Sequence, residues 1–367
     1  MNAFDFHVPT KIRFGRGRVA ELGSLIPAGV RRVLLVTDGT IAARTPALAA
    51  AQRALAGREL RTFARVEENP SLATVEDGGR EARAFDAQLV VGLGGGSPMD
   101  AAKGMAILAA NPGPLTRYLG GEPLERDPLP IVAVPTTSGT GSEVTPYAVF
   151  TDTAAGNKIG YGHPGIFPAV ALIDPELTYS MPAPVVINTG LDVLAHAVEA
   201  YLSTISFPFN DALALHAVEV SLARLGRAAE KDREAMDHMA AAAAVAGAAI
   251  AHSSTILPHI MGYPLTVFHG VPHGRASAVM MVHVLNDLRA ESSCPAKVRV
   301  LDGLFALHGG PAGFLGGLGV SLKLSEYGVR EDEVALYTQK TILKGDVKIT
   351  PAVVTAERLE RIYRSAL

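Results

Sequence analysis

Residues 87–103 read AQLVVGLGGGSPMDAAK, which divides into an apolar run, a turn of three glycines and the start of a helix. The run has the length and the β-branched residues of a buried strand, and Pro98 is typical of the first turn of a helix. Successive glycines let backbone N–H groups approach an anion closely, and a helix N-terminus adds positive potential. The stretch therefore predicts either a pyrophosphate-binding turn or a tight connection in which Ser97 caps the helix.

The alternation of strand and helix continues on both sides of this glycine turn (residues 94–96). Apolar runs predict strands over residues 32–37, 87–93 and 130–135, and helical spacing predicts helices over residues 41–60 and 99–110. Strands that alternate with helices are typical of a parallel sheet covered on both faces. We therefore expect an α/β, Rossmann-like N-terminal domain.

The second half of the sequence has helical spacing without further strand patterns. Helices are predicted over residues 185–204, 211–229, 233–253, 275–286 and 355–365. The turn residues Pro182, Ala183 and Pro184 mark the change in pattern. We expect two domains, an α/β domain over residues 1–180 and an all-α domain over residues 181–367.

Composition limits the classes of function. The chain has 367 residues, of which 48% are hydrophobic and 19% charged, and its formal net charge is −3. These values fit a folded protein and provide no basic excess for binding nucleic acid.

The single cysteine, Cys294, fits a reducing compartment. The most apolar run, residues 239–251, is shorter than the about 20 residues of a membrane-spanning helix, and residues 1–10 do not resemble a targeting signal, so we expect a cytoplasmic protein without a membrane partner.

A second polar loop follows the strand predicted over residues 130–135. Residues 135–143 read PTTSGTGSE, with five hydroxyl side chains and two glycines. Such a loop can be a solvated connection, or it can form a ligand surface at the carboxyl edge of a parallel sheet. Because two loops of this kind end neighbouring segments, we expect them to form a crevice together.

Carboxylate and imidazole side chains cluster in the helical half. Asp192, His196 and Glu199 have the spacing of residues on one helix face, where Asp192 and His196 can bind a metal or simply form a hydrogen bond. His259 and His273 follow, each of which can also be an ordinary hydrogen-bonded histidine. Taken together they favour a four-ligand site of one carboxylate and three imidazoles, which suits Fe(II), Zn(II), Ni(II) or Co(II) better than Ca(II) or Mg(II).

These motifs together resemble the iron-containing (group III) alcohol dehydrogenase family. Residues 94–100, 135–143, 192–199, 259 and 272–274 occur in the family's order and spacing, and the resemblance runs from about Phe14 to about Pro351. It implies a Rossmann-like α/β domain followed by an all-α domain, the architecture shared with dehydroquinate synthase. It also implies a metal-dependent oxidoreductase that transfers hydride reversibly between a small alcohol or aldehyde and NAD(P)(H), with the metal as Lewis acid on the substrate oxygen, and it implies a homodimer.

The resemblance assigns site residues as well. The implied ligands of an Fe²⁺ ion, with Zn²⁺ or Ni²⁺ as alternatives, are Asp192, His196, His259 and His273. The implied cofactor contacts are Asp38, Gly94, Gly95, Gly96, Ser97, Pro98, Asp100, Thr136, Thr137, Thr140, Ser142, Thr145 and Lys158. Asp38 ends the first clear strand, where a carboxylate can accept from a ribose 2′-OH and repel a 2′-phosphate, so we expect NAD(H) rather than NADP(H). Its alternative role is to start an Asp-Gly turn.

One position departs from the family. Many members carry a histidine, proposed as a proton relay, where this chain has Tyr263. A tyrosine phenol has an ordinary pKa of about 10, so it donates readily but is a poor base at neutral pH. We expect the catalytic proton relay to involve Tyr263, or His269 in its place.

Other functions are compatible with the same fold. Glycerol dehydrogenases, dehydroquinate-synthase-like lyases and maleylacetate reductases resemble this architecture, but they lack the joint pattern of Asp192 and His196. A non-catalytic NAD-binding protein would require a broken ligand set, whereas all four ligand positions are filled here.

Overall fold

The computed structural model describes residues 3–367. It divides the chain into two compact units, His7–Met181 and Pro182–Leu367, and residues 3–6 group with the second. Those few N-terminal residues join the helical unit through rings: Phe4 stacks on Phe207, and Phe6 stacks on His252.

The first unit is built on a six-stranded sheet in which every pairing is parallel. Its strands stand in the order β1-β8-β5-β4-β2-β3. An antiparallel pair, β6 and β7, forms a separate two-stranded sheet. The strands are β1 Lys11–Phe14, β2 Arg32–Asp38, β3 Glu59–Val66, β4 Leu89–Gly94, β5 Ile131–Pro135, β6 Tyr147–Asp152, β7 Asn157–Gly162 and β8 Val170–Ile173.

Helices cover both faces of the large sheet. They are α1 Leu22–Leu25, α2 Gly39–Arg44, α3 Ala47–Ala54, α4 Leu72–Ala84, α5 Gly96–Ala110 and α6 Leu115–Leu119. Leu34 and Val36 of β2 pack into one apolar cluster with α4 and α5. Val33 and Leu35, which point to the opposite face because side chains alternate along a strand, pack into another with α1 and α3. The sheet is therefore buried on both faces, as the sequence predicted.

One predicted helix is wrong. The Ala-rich segment 41–60 does not form a single helix but breaks into α2, α3 and the start of β3. The break lies at Thr45, which is extended with φ −131° and ψ 155°. Thr45 precedes Pro46, and the residue before a proline is disfavoured in helical conformation.

The second unit is entirely helical in its regular structure. Its α-helices are α7 Ala183–Leu202, α8 Pro208–Ala229, α9 Arg233–Ser253, α10 Leu257–His269, α11 His273–Ala290, α12 Pro295–Ala306, α13 Gly310–Gly317, α14 Val334–Ile342 and α15 Ala356–Ala366. Helix α7 is the central element, packed against α8, α9 and α11. It is the one described helix that is by itself long and apolar enough to cross a bilayer, but 78% of its most apolar window is buried, as in the core helix of a folded domain.

Candidate functional site

The buried helix α7 presents three ionisable groups to the interior of the helical unit. Asp192, His196 and Glu199 are 3%, 5% and 0% exposed. Their spacing places them on one helix face, as the sequence predicted. Burying carboxylates is costly unless they are paired or bind a metal, so this face requires partners.

Two further helices contain, in their first turns, the histidines that the sequence singled out. His259 lies in the first turn of α10, just after Ser254 with φ 56° ends α9. His273 is the first residue of α11, and Gly270, with φ 65°, ends α10 before it. Each imidazole lies in the first turn of a helix, so the short connection before that helix sets the direction of the side chain.

The imidazoles converge on one oxygen of Asp192. His259 Nε2 lies 3.5 Å from Asp192 Oδ1, and His273 Nε2 lies 3.8 Å from the same atom. One ligand atom from each of Asp192, His196 and His259 lies within 4.8 Å of the others. Donor atoms about 2.1 Å from a tetrahedral metal stand about 3.4 Å apart, and the two distances from Asp192 Oδ1 are close to that separation.

Two of these buried atoms have no hydrogen-bond partner within the described part of the chain. They are Asp192 Oδ1 and His259 Nε2, which face each other at a separation longer than an ordinary N–H···O bond. Buried polar atoms are normally satisfied, and each exception calls for a missing partner such as an ion. One carboxylate oxygen and three imidazole nitrogens fit a divalent ion of the Fe(II), Zn(II) or Ni(II) type.

The electrostatics of the cluster agree with this fit. Burial would raise the pKa of Asp192, but His196, His273 and His259 together bring that pKa below its ordinary value. Burial would lower the pKa of His259, yet Glu199 and Asp192 raise it to about 10. The acidic groups therefore stabilise a positive charge at this point, which a bound divalent cation would supply in place of a proton.

Glu199 has a role that the sequence did not reveal. Its Oε1 accepts a hydrogen bond from His259 Nδ1, and its Oε2 accepts from Ile256 N at 2.7 Å and His259 N at 3.3 Å. A carboxylate on the far nitrogen of a histidine leaves Nε2 as the ligand atom and orients the ring. The i+7 spacing placed Glu199 on the right face, but only the fold brings His259 to it.

The two predicted relay residues have different surroundings. The ring of Tyr263 lies 5.8 Å from the ring of His273, directly beside the ligand cluster. His269 Nε2 instead bonds to the hydroxyl of Tyr337 at 2.5 Å and lies 3.5 Å from Glu333 Oε1. Of the two residues, Tyr263 is thus the one in contact with a candidate metal ligand.

In the first unit, the glycine turn and the polar loop at residues 136–145, hereafter the hydroxyl loop, pack against each other. Strands β4 and β5 are neighbours, and Thr136 N donates to Gly94 O at 2.9 Å. A Cβ added to Gly96 would lie 2.6 Å from Thr140 Cγ2, and one added to Gly95 would lie 3.3 Å from Thr137 Oγ1. A side chain at Gly96 would force Thr140 to move, and one at Gly95 would be tight against Thr137, so the expected convergence of the two loops is present.

Asp38 lies at the end of β2 beside the glycine turn. Its Oδ1 accepts from Ile41 N at 2.8 Å and caps α2. Its Oδ2 would lie 3.4 Å from a Cβ on Gly94. The capping role thus coexists with a carboxylate oxygen directed at the turn.

Three of the predicted cofactor contacts, Asp100 on α5 and the loop residues Ser142 and Thr145, are hydrogen-bonded within the protein. Asp100 Oδ1 accepts from the Ser142 hydroxyl at 2.7 Å, and Asp100 Oδ2 accepts from Val149 N at 2.9 Å. Ser142 and Thr145 are 4% and 2% exposed, and both bond to Lys103. These hydroxyl and carboxyl groups are engaged within the protein.

Asn69 links two other predicted contacts and was not found from the sequence. Its N–H donates to Ser97 Oγ at 3.0 Å, and its Oδ1 accepts from Lys158 Nζ at 2.7 Å. It adopts the left-handed conformation with φ 57°, which asparagine tolerates better than most residues. The Asn-Pro pair at 69–70 was the available turn signal.

The two parts of the chain match two models of one protein family. The model for iron-containing alcohol dehydrogenase matches residues 9–175, and the model for the C-terminal part of the Fe-containing alcohol dehydrogenase family matches residues 186–367. The chain belongs to the iron-containing alcohol dehydrogenase family. It is accordingly a metal-dependent oxidoreductase of alcohols and aldehydes, and the predicted family, fold class and activity class are confirmed.

The chain is similar both to an NAD-dependent and to an NADPH-dependent member of this family. The NAD-dependent methanol dehydrogenase of Bacillus methanolicus is 30% identical, with 99% of this chain and 100% of that enzyme covered. The NADPH-dependent butanol dehydrogenase of Clostridium saccharobutylicum is 34% identical, with 76% of this chain and 73% of that enzyme covered. A crystal structure of an iron-containing alcohol dehydrogenase from Thermotoga maritima superposes with a TM-score of 0.92 at 36% identity, with 100% of this chain and 99% of that chain covered.

Proposed function

We propose that this protein oxidises small alcohols and reduces the corresponding aldehydes with NAD(H), using one divalent metal ion held by Asp192, His196, His259 and His273. The observation that carries the proposal is the approach of His259 Nε2 and His273 Nε2 to Asp192 Oδ1, at 3.5 and 3.8 Å. Asp192 Oδ1 and His259 Nε2 are buried without a hydrogen-bond partner among the described residues, and a cation between them would satisfy both.

The proposed ion is Fe²⁺, with Zn²⁺ or Ni²⁺ as chemically similar occupants. When bound, it supplies a Lewis acid that stabilises negative charge on the substrate oxygen. The protein's contribution is the fixed direction of the ligands: Glu199 holds the ring of His259, and the start of α11 holds His273. Ordered ligands of this kind lower the reorganisation needed during reaction.

The proposed dinucleotide site is the glycine turn with the hydroxyl loop beside it. Backbone N–H groups at the start of α5 and the positive end of that helix favour a pyrophosphate. The nicotinamide ring supplies the hydride acceptor and donor. Asp38 favours NAD(H), because its free oxygen faces the turn and would repel a 2′-phosphate.

Tyr263 is the proposed residue for holding the substrate's proton, with His269 as the alternative. The phenol lies against the ring of His273, whereas His269 is engaged with Tyr337. A phenol can donate to a substrate oxygen at neutral pH without itself being ionised. We also propose a cytoplasmic location, in keeping with the single cysteine. The proposed oligomeric state is a homodimer.

The decisive experiment combines metal analysis with turnover. The purified protein is assayed for metal content and for NADH formation with short alcohols, then stripped with a chelator and reloaded with Fe²⁺, Zn²⁺ or Ni²⁺. Loss of turnover on stripping and recovery on reloading would support the proposal. Full activity in the stripped protein would contradict the metal assignment. Alcohol oxidation with NADP but not with NAD would contradict the cofactor assignment.

A further inference from the structure

Helix α5 carries an ammonium group that is sealed from solvent. The side chain of Lys103 is 0% exposed. Its Nζ donates to the carbonyl and the hydroxyl of Ser142, both at 2.7 Å, to Thr145 O at 3.0 Å and to Tyr147 O at 2.6 Å. An ammonium has three protons, so these four acceptors saturate it and leave no donor for a ligand.

Asp100, one turn earlier on α5, also attaches the segment that begins at Ser142 to this helix. Its Oδ1 accepts from the Ser142 hydroxyl at 2.7 Å, and its Oδ2 accepts from Val149 N at 2.9 Å. Lys103 and Asp100 therefore fasten both the end of the hydroxyl loop and the start of β6 to α5. The Ser142 hydroxyl donates to Asp100 and accepts from Lys103, so its bonding capacity is used inside the protein.

The attachment extends to the surface beside the glycine turn. Ser142 N donates to Thr140 Oγ1 at 3.2 Å. Thr140 in turn lies so close to Gly96 that a Cβ there would be 2.6 Å from Thr140 Cγ2. A shift of Ser142 would therefore move Thr140. It would also change the space beside Gly96, where backbone N–H groups are offered to an anion.

Two carboxyl groups offset part of the effect of burial on Lys103. Burial lowers the pKa of Lys103 to about 8, while Asp100 and Glu143 oppose that shift. Lys103 is thus predominantly protonated at neutral pH, and its charge compensates the buried acids. Hydrogen bonds from a charged donor in such an environment are stronger than neutral ones.

We propose that Lys103 is a positioning residue for the dinucleotide, which fixes the hydroxyl loop against the glycine turn from beneath. In this arrangement Asp100 and Ser142 support cofactor binding by holding the loop with Lys103, without touching the cofactor themselves. The inference rests on the proposed dinucleotide site but makes a separate claim about how that site is kept in shape.

Two variants test the role of Lys103. Lys103→Met removes the whole ammonium group at similar length. Ser142→Ala removes the hydroxyl that accepts from Lys103 and donates to Asp100, and it keeps the ammonium group, so the test stands even where the methionine variant yields no folded protein. The matched control is Ser221→Ala, because Ser221 in α8 is also buried and its hydroxyl has no hydrogen-bond partner among the described residues.

The readout is the Kd for NADH, measured by fluorescence on the metal-loaded protein, together with steady-state kinetics. In Ser142→Ala we expect the Kd for NADH and the KM for NAD to rise at least about tenfold, because the hydrogen bonds of the Ser142 hydroxyl to Asp100 and Lys103 are both lost. The kcat at saturating NAD and the KM for the alcohol should stay within about twofold, since the reacting groups are untouched.

An unchanged Kd for NADH in a folded Ser142→Ala protein would overturn the positioning role. So would a uniform loss of kcat and of affinity for both substrates, because that pattern indicates general damage. If the unmodified protein binds no NADH at all, the proposed function fails instead, and the two failures are thereby distinguished.

Discussion

His259 and Glu199 form a hydrogen-bonded pair in the interior of the helical unit, with Nδ1 of the imidazole donating to Oε1 of the carboxylate. The pair leaves His259 Nε2 directed at Asp192, 3.5 Å away. One helix, α7, therefore supplies both a proposed metal ligand and the group that orients a proposed ligand on another helix. We expect Glu199 to contribute to metal binding although it lies outside the proposed ligand set.

Replacing Glu199 should weaken the metal site without affecting the nucleotide. In Glu199→Ala, His259 loses the acceptor at Nδ1, and Ile256 N and His259 N lose theirs. We expect metal affinity to fall about 10- to 100-fold, measured by metal content after dialysis against a weak chelator. Glu219→Ala, an exposed position on α8, is the control, and equal metal retention in the two variants would refute the orienting role.

Removing a ligand should separate metal binding from cofactor binding. In His259→Ala we expect turnover to be abolished, since one of the three buried donors that lie within 4.8 Å of one another is lost. The Kd for NADH should remain within about twofold of the unmodified value, because the proposed dinucleotide groups belong to the other unit. His216→Ala, exposed on α8, should keep full activity. Substantial turnover by His259→Ala would contradict the ligand assignment.

Gly274 provides a steric test of the same centre. A Cβ at this position would lie 2.1 Å from Asn188 O and 2.6 Å from Asp192 Cβ, so α11 could no longer approach α7. We expect Gly274→Ala to cost about 1–3 kcal/mol of stability and to lose metal, because Asp192 and the adjacent His273 must move apart. Gly303→Ala, where a Cβ would meet nothing within 4 Å, should keep its metal and its Tm. Unfolding curves and metal content decide between these outcomes.

Much of this structure follows from local sequence patterns. The glycine turn, the strands around it and helix α9 depend on spacing and turn residues that act over a few positions, and α9 runs from Arg233 to Ser253 as predicted. The helix expected over residues 41–60 was wrong, because the alanine-rich composition concealed the break before Pro46 and the strand that begins at Glu59. Such a break depends on backbone restriction at a single residue.

Long-range relationships were not accessible from the residues alone. Lys103 stands in a short helical pattern like many surface lysines, and only the fold places Ser142 around its ammonium, 39 positions away. Asn69 likewise acquires a role through Lys158, 89 positions away. Residue types and spacing favoured Asp192, His196, His259 and His273 as candidate metal ligands, and the resemblance to a family supported the set. The packing of α7, α10 and α11 brings Asp192, His196 and His259 together and places His273 Nε2 3.8 Å from Asp192 Oδ1.

Asp38 offers a test of cofactor preference in which charge and helix capping can be separated. Asp38→Asn keeps an oxygen for Ile41 N, since asparagine caps helices as well as aspartate does. It removes the negative charge beside the glycine turn. We expect the ratio of kcat/KM for NADPH to that for NADH to rise about tenfold or more, because like-charge repulsion costs several kcal/mol when it is desolvated. An unchanged ratio at unchanged Tm would show that Asp38 serves only as the helix cap.

Tyr263 allows the proton relay to be examined through the dependence of rate on pH. Tyr263→Phe keeps the ring against His273 but removes the hydroxyl, so kcat should fall about 100-fold, within the range for loss of a general acid or base. Tyr263→His introduces a group with an ordinary pKa of about 6.5. Alcohol oxidation by that variant should therefore rise as the pH increases through about 6.5, where the imidazole becomes a neutral base. His269→Gln, which alters the contact with Tyr337, should leave the pH dependence of the unmodified protein unchanged. A large loss in His269→Gln together with little change in Tyr263→Phe would transfer the relay to His269.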